Sequence, residues 1–125
     1  MRVRGVGLFE AKVRRYPMLL AFVAVASVAI GQDMPSTWGE NKYGTLGRGN
    51  NSDQWLPGKP VGLDDVAMMS GGGYHTLFLK KDGTVWSSGN NLYGELGLGH
   101  NSDRNVPTQI PGLSNIVFVS AGTSH

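Results

Sequence analysis

The sequence predicts an all-β fold made of repeated units of short antiparallel strands. Glycine accounts for 19 of the 125 residues, which disfavours long helices because glycine weakens helix interiors and serves turns instead. No stretch after residue 31 has a convincing helical period, and short apolar runs alternate there with turn residues. The sequence also matches itself at a spacing of 50 residues, a period typical of propellers, solenoids and arrays.

The repeat pairs the residues from Gly39 to His75 with those 50 positions later. The most closely matched stretch is rich in glycine, and an Asn-Ser-Asp triplet follows it in both copies. A histidine near the end of the matched segment also recurs. The signature residues are Gly39, Asn41, Tyr43, Gly44, Leu46, Gly47, Gly49 and His75 in the first copy and Gly89, Asn91, Tyr93, Gly94, Leu96, Gly97, Gly99 and His125 in the second. The two copies therefore span residues 39–88 and 89–125.

A β-hairpin is predicted within the first copy. The segment Thr76–Lys80 is apolar on both faces, as in a strand that is covered on both sides. Asp82-Gly83 follows and favours a tight two-residue turn, in which both residues have positive φ. The return strand is Thr84–Ser88, and this turn would place Leu79 opposite Trp86.

The short apolar stretch Val66–Ser70 precedes this hairpin, and Ile116–Ser120 mirrors it in the second copy. Short strands joined by tight turns and repeated at this period favour the blades of a β-propeller. The second copy ends before the hairpin returns. The sequence therefore predicts a partial β-propeller of about one and a half blades of antiparallel strands.

The stretches W-G-E-N-K-Y-G-T-L-G-R-G (38–49) and S-G-N-N-L-Y-G-E-L-G-L-G (88–99) resemble the signature of the regulator-of-chromosome-condensation repeat family. The linking segment 70–89 is similar to that family's pattern as well. The resemblance covers about residues 36–125 and implies a seven-bladed propeller in complete members. Since this chain holds fewer than two repeats, we expect truncation, self-association through the incomplete blades, or low stability of segment 32–125.

Residues 1–31 are predicted to be a signal peptide or membrane anchor. The uncharged run Met18–Ile30 follows a basic start and, as a helix of roughly 20 Å, is shorter than the roughly 30 Å bilayer core. Cleavage could follow Ala24-Val25-Ala26 or Ala29-Ile30-Gly31. A cleaved hydrophobic signal helix is favoured over an uncleaved anchor and a buried core helix. The expected location is secreted or extracytoplasmic, with only the leader contacting a membrane.

The charge distribution argues against a nucleic-acid partner. Residues 1–31 carry five basic groups and one acid, whereas residues 32–125 carry six basic groups and eight acids. The basic character therefore belongs to the leader, and the remainder has no basic stripe for phosphate groups. The absence of cysteine also excludes disulfides and cysteine-based metal sites.

Neither a catalytic set nor a cofactor or metal site is evident. The glycine pattern at 44–49 has the wrong order for the dinucleotide fingerprint and favours turns. His75 and His125 would lie on adjacent blades instead of converging on a metal. Asn51-Ser52-Asp53 resembles part of a calcium loop but lacks its glycine and distal glutamate, so turn chemistry is favoured. We expect no enzyme activity, no cofactor and no metal.

Trp55 is the candidate partner-binding residue. It lies in a segment that looks like a polar loop, and the second copy has Asn105 there, whereas the other tryptophans and Tyr43 and Tyr93 are expected in the core. The expected function is a non-catalytic protein-binding scaffold that is exported. Two alternatives stay open: guanine-nucleotide exchange on a small GTPase, which the family resemblance implies, and an accessory repeat domain of a longer enzyme.

Overall fold

The computed structural model describes residues 23–26 and 35–125, and all of the regular elements in these residues are β-strands. The strands are β1 (Val23–Ala26), β2 (Ser36–Gly39), β3 (Gln54–Gly58), β4 (Val66–Gly71), β5 (His75–Lys80), β6 (Val85–Gly89) and β7 (Arg104–Gln109). They form two antiparallel sheets, ordered β1-β2-β3 and β4-β5-β6-β7. None of these residues belongs to a helix long and apolar enough to cross a membrane. The predicted all-β class is confirmed.

The two sheets are successive blades related by the 50-residue repeat. Strands β2 and β3 of the first sheet correspond to β6 and β7 of the second. Strand β1 pairs with β2 from Val23 opposite Gly39, just as β5 pairs with β6 from His75 opposite Gly89. The first sheet therefore has three of the four strand positions of the second. The second sheet crosses the boundary between residues 88 and 89, so the blades are offset from the sequence copies.

Four residues of the predicted leader, Val23–Ala26, belong to the part that the structure describes, and they form a β-strand where a helix was expected. Pairing with β2 satisfies backbone N–H and C=O groups that would otherwise line the edge of the first sheet. The rest of the predicted leader lies outside the described residues. The signal helix, its cleavage and the export of the chain therefore stay predictions.

The β5–β6 hairpin forms as predicted but around a different turn. The amide of Lys80 donates to the carbonyl of Thr84 at 2.9 Å, and the amide of Gly83 donates back to Lys80 at 3.0 Å. Gly83 has a φ of 82°, while Asp82 is not among the described residues with positive φ. The Asp82 carboxylate accepts hydrogen bonds from the Thr84 amide and hydroxyl, at 3.0 and 2.6 Å. This side-chain bond favours a three-residue loop that ends in a glycine bulge.

The longer loop shifts the pairing of the two strands by one residue. Leu79 lies opposite Val85, and Trp86 lies opposite Phe78. The predicted pair of Leu79 and Trp86 was therefore wrong, because the loop around Asp82-Gly83 has three residues and not two. In the observed register, Leu79 and Val85 are both buried within the second blade.

The core of the second blade includes side chains from beyond its last strand. Leu79, Val85 and Val119 form a buried cluster against which partly buried apolar side chains pack. The Ile116 amide donates to the Gly83 carbonyl at 3.1 Å. The segment Ile116–Ser120, predicted as a strand because it mirrors Val66–Ser70, joins neither sheet of the described structure. Val119 of this segment instead packs into the buried cluster of the second blade.

Candidate functional site

The glycine-rich signature of each copy is a loop held by a buried asparagine. Asn41 is fully buried, and its side-chain amide donates to the carbonyls of Asn50 and Ser52 at 2.8 and 3.0 Å. Its side-chain oxygen accepts from the Leu46 amide at 2.9 Å. Asn91 makes the same set of bonds in the second copy. One side chain therefore fixes both ends of the loop, and the signature asparagine is structural.

The Asn-Ser-Asp triplets bond to their own loops. The carboxylate of Asp53 accepts from the Asn41 amide at 2.8 Å, and the Asn51 side chain donates to the Lys42 carbonyl at 3.1 Å. The second copy repeats both bonds. The side chains that resemble a calcium loop thus serve the turn, which is the interpretation that the sequence favoured.

We call residues 43–49 the first signature loop; it lies across the second blade and joins the two sheets. The Thr45 hydroxyl donates to the Tyr74 carbonyl at 2.9 Å. The Thr45 carbonyl accepts from the hydroxyls of Thr76 and Ser88, at 2.8 and 3.0 Å. Thr45, Thr76 and Ser88 are all buried. This interface therefore fixes the position of the second blade relative to the first.

The glycines of the first signature loop allow it to approach β7 closely. Gly44 has a φ of 77°, and a Cβ there would overlap the Cα and Cβ of Asn105. A Cβ at Gly47 would lie 2.8 Å from Cγ of Pro107. The Gly49 amide donates to the Asn105 carbonyl at 2.8 Å. The Gly44 amide donates to the Asn41 carbonyl and the Gly47 amide to the Gly44 carbonyl, so these glycines serve packing and turns.

His75 and His125 end equivalent turns. The His75 carbonyl accepts from the Gly72 amide at 2.8 Å, and the His125 carbonyl accepts from the Gly122 amide at 2.7 Å. His75 is 1% exposed, and Nε2 of its ring has no hydrogen-bond partner among the described residues. Burial lowers the pKa of His75, and the Glu95 carboxylate opposes that shift. Within residues 35–125 neither histidine joins a metal-type cluster of three or more His, Cys, Asp or Glu side chains.

The structure places Trp55 on a strand and not in the loop that its polar neighbours indicated. It belongs to β3, the outer edge of the first sheet, where its side chain is 85% exposed. Leu56 beside it is 76% exposed, which the sequence analysis did not predict. On β7 the corresponding residues are Asn105 and Val106, and the first signature loop contacts Asn105. Trp55 and Leu56 are therefore an exposed apolar pair on an edge strand of the described structure.

Tyr93 is also exposed, at 75%, although a place in the core was expected. Its counterpart Tyr43 is partly buried and meets the Tyr74 ring edge-on, with centroids 5.2 Å apart. The sequence could not predict this difference, because both copies have tyrosine at this position and, among the described residues, only the first signature loop lies against the second blade. A shallow cavity of about 280 Å³ lies at that covered interface, lined by Tyr43, Asn51, Asp103, Arg104, Asn105 and Val106.

The family model of the regulator of chromosome condensation (RCC1) repeat matches residues 37–79 and 82–125. A second model of the same repeat matches residues 66–95. The first model covers more than half of the chain, and the chain belongs to this repeat family. The predicted resemblance is confirmed.

Solved structures show the same fold. Yeast RCC1 (Prp20) bound to Kap60 aligns with a TM-score of 0.64 and 22% identity over 79% of this chain and 26% of that chain. Human WBSCR16 aligns with 0.63 and 25% identity over 80% and 27%. Prp20p from Saccharomyces cerevisiae, studied with its binding to Gsp1p and histones, aligns with 0.65 and 21% identity over 82% and 29%. The chain therefore spans less than a third of these propeller proteins.

Proposed function

We propose that this protein is a non-catalytic protein-binding scaffold that acts outside the cytoplasm, with the outer strand β3 as its binding surface. The observation that carries the proposal is that Trp55 and Leu56, two neighbouring apolar residues on that strand, are both exposed to solvent. Tryptophan is enriched among the residues that dominate protein–protein affinity, because it removes a large apolar area from water at little cost in side-chain entropy. An aromatic of this size left in solvent by the fold supports a docking role.

The position of Trp55 in the sheet supports the same proposal. Strand β3 pairs with β2 on one side and ends the sheet on the other. An edge strand presents backbone N–H and C=O groups that an extended partner segment can pair with, while its side chains give specificity. A protein partner with an extended apolar segment fits this edge.

The described groups with displaced pKa values have structural causes, which supports a scaffold without catalysis. A hydrogen bond from Lys59 lowers the pKa of Asp64, and hydrogen bonds from Thr84 lower that of Asp82. His75, whose pKa burial lowers, is enclosed beneath the surface. Catalytic groups usually combine a perturbed pKa with a place in a cleft, and these three do not.

Two further observations support protein binding and export, the two parts of the proposed function. Among proteins of similar fold, yeast RCC1 (Prp20) is found bound to Kap60, and Prp20p is described for its binding to Gsp1p and histones. The basic start and short apolar run of residues 1–31 support export. The two repeats after the leader would then present β3 to partners outside the cytoplasm.

The proposal is tested by capturing partners from an extracytoplasmic fraction with the full chain. Changing Trp55→Ala should weaken the captured complex at least tenfold, since interface tryptophans contribute roughly 2 kcal/mol or more. Tyr93→Ala is the matched control, because it removes an aromatic of similar exposure from another surface. Equal capture by wild type and Trp55→Ala would reject β3 as the binding surface.

The same preparations test the alternative of guanine-nucleotide exchange. The proposal predicts that the chain leaves the release of labelled GDP from a small GTPase unchanged. Faster release in proportion to the amount of chain would contradict the non-catalytic scaffold.

A further inference from the structure

His100 takes the place of Asn50 in the second copy, at the start of the turn that follows each glycine-rich signature. We call residues 50–53 and 100–103 the closing turns. The Asn50 side-chain oxygen accepts from the Ser52 amide at 3.1 Å, which holds the first closing turn. In the second closing turn, Nδ1 of His100 accepts from the Ser102 amide at 3.1 Å. A ring nitrogen therefore replaces an amide oxygen as the acceptor of the turn.

The His100 ring is bordered by hydrogen-bond donors. Besides the Ser102 amide, the Asn91 side-chain nitrogen lies 3.5 Å from Nδ1, and a guanidinium nitrogen of Arg104 lies 3.2 Å from Nε2. The Asn91 amide group is fixed in this orientation, because its nitrogen donates to the His100 carbonyl at 2.7 Å and its oxygen accepts from the Leu96 amide at 3.0 Å. An arginine side chain has no acceptor. Both ring nitrogens therefore face donors.

These contacts favour the neutral ring of His100. A neutral imidazole has one acceptor nitrogen, and an imidazolium has none. The backbone amide of Ser102 is held in the turn, whereas the long Arg104 side chain can move, so Nδ1 is the acceptor and Nε2 carries the proton. A second proton would remove the bond to Ser102 and place a positive ring beside the Arg104 guanidinium. Protonation of the ring and closure of the turn therefore oppose each other.

The other charged groups of the surroundings bind elsewhere. Within residues 91–104 they are Glu95 and Asp103, whose carboxylates each accept from a backbone amide at 2.8 Å. The first signature loop, which packs on β7, adds Arg48, and Lys42 precedes it. The Arg48 guanidinium donates to a β3 carbonyl at 3.1 Å, and the Lys42 ammonium lies over the Tyr43 ring. The charged group within hydrogen-bonding distance of the His100 ring is thus a cation.

Solvent protons can reach the His100 ring, and this access belongs to the repeat position. His100 is partly exposed, and Asn50 is exposed although the second blade lies against its loop. The contacts of the ring all come from residues 91–104, within one loop and the strand that follows it. Histidine changes charge between about pH 5 and pH 8. Mild acid is therefore the change to which this turn can respond.

We propose that His100 is a pH-sensitive switch in the second closing turn. At neutral pH, Nδ1 accepts from the Ser102 amide and the turn is closed. In mild acid the ring takes up a proton, loses that bond and repels Arg104, and residues 100–104 open. This switch goes beyond the binding role of the scaffold, and the first copy lacks it because an amide side chain does not titrate.

Opening of residues 100–104 would reach the interface between the blades. Arg104 is the first residue of β7 and, with Asn105, lines the cavity beside the first signature loop. The Asn105 side chain donates to the Asn51 side chain across this interface at 2.9 Å. Mild acid should therefore also weaken the attachment of the first signature loop to β7.

NMR spectroscopy of the full chain from about pH 7.5 to pH 5 tests the switch, because histidine changes charge in this range. The nitrogen signals of the His100 ring should show an unprotonated Nδ1 at neutral pH. As the ring titrates, the Ser102 amide proton should shift towards the position of an unbonded amide, with the same midpoint. The amides of Ser52, in the first closing turn, and Leu79, in the core of the second blade, should not follow. Their constancy separates local opening from loss of the whole fold.

Two exchanges between the copies supply matched variants. His100→Asn introduces the residue of the first copy, which accepts the same bond without titrating, so the pH dependence of the Ser102 amide should disappear. Asn50→His makes the reverse exchange and should give the Ser52 amide a pH dependence that the wild type lacks. Position 54 is glutamine where the second copy has Arg104, so this response tests the bond to the ring without the neighbouring cation.

A proton on Nδ1 of His100 at neutral pH would overturn the switch, since the ring could not then accept from Ser102. A Ser102 amide that keeps its position while the ring titrates would overturn it as well, and so would an equal shift in the His100→Asn chain. Absence of any response of Ser52 in the Asn50→His chain would show that a ring at this position does not control the turn.

Discussion

His75 shows how a signature residue can be structural and still carry a chemical consequence. It recurs as His125, and its carbonyl closes a turn with Gly72. Its ring is buried, and Nε2 has no hydrogen-bond partner in residues 35–125. Placing a proton on that ring would bury a charge, which is why its pKa is lowered.

The lowered pKa of His75 predicts that the fold weakens in mild acid. The unfolded chain binds a proton below about pH 6.5, whereas the folded chain binds it only at lower pH. The contribution of neutral His75 to the free energy of unfolding is therefore complete above about pH 6.5 and is lost as the pH falls towards the folded pKa. Urea unfolding at a series of pH values measures this loss.

One variant assigns that pH dependence to a residue. His75→Gln should flatten the fall in unfolding free energy, since glutamine does not titrate. A wild-type pH profile in the His75 variant would show that another group causes the effect.

At the scale of elements, the sequence predicted β4, β5 and β6 to within a residue or two. Alternation of apolar residues and turn signals determines such strands locally. The turn at Asp82-Gly83 was predicted wrongly, because the hydrogen bonds that the Asp82 carboxylate accepts from Thr84 decide between two loop lengths that the same dipeptide allows. The strand β3 was predicted as a loop, because polar residues precede Trp55 and Pro57-Gly58 follows Leu56, and such residues are typical of turns.

The close packing of the first signature loop on β7 predicts an unequal response of two equivalent glycines. Gly44→Ala and Gly94→Ala both place a side chain at positive φ, so they share a similar strain of about 1 kcal/mol. Gly44→Ala also overlaps Asn105 and should lower the unfolding free energy by about 1–3 kcal/mol more. Urea unfolding of the two variants measures the difference. Equal losses would contradict the observed packing of the loop on β7.

At the scale of the whole molecule, the repeat predicted the propeller class, and the family match confirms it. What the repeat could not predict is which copy of each surface is covered. Both copies have nearly the same signature, yet among the described residues only the first signature loop lies against another blade. Tyr93, expected in the core, is exposed for that reason. The role of residues 1–31 stays a prediction, and the pairing of β1 with β2 implies that cleavage after residue 31 would remove a strand from the first sheet.

Amide hydrogen exchange of the chain with and without a captured protein partner tests the central claim most directly. The account predicts slower exchange in Gln54–Gly58 when the partner is present, because that edge strand would gain a protein neighbour. Its counterpart Arg104–Gln109, already contacted by the first signature loop, should change little. Protection confined to other segments, with Gln54–Gly58 unchanged, would contradict the assignment of β3 as the binding surface.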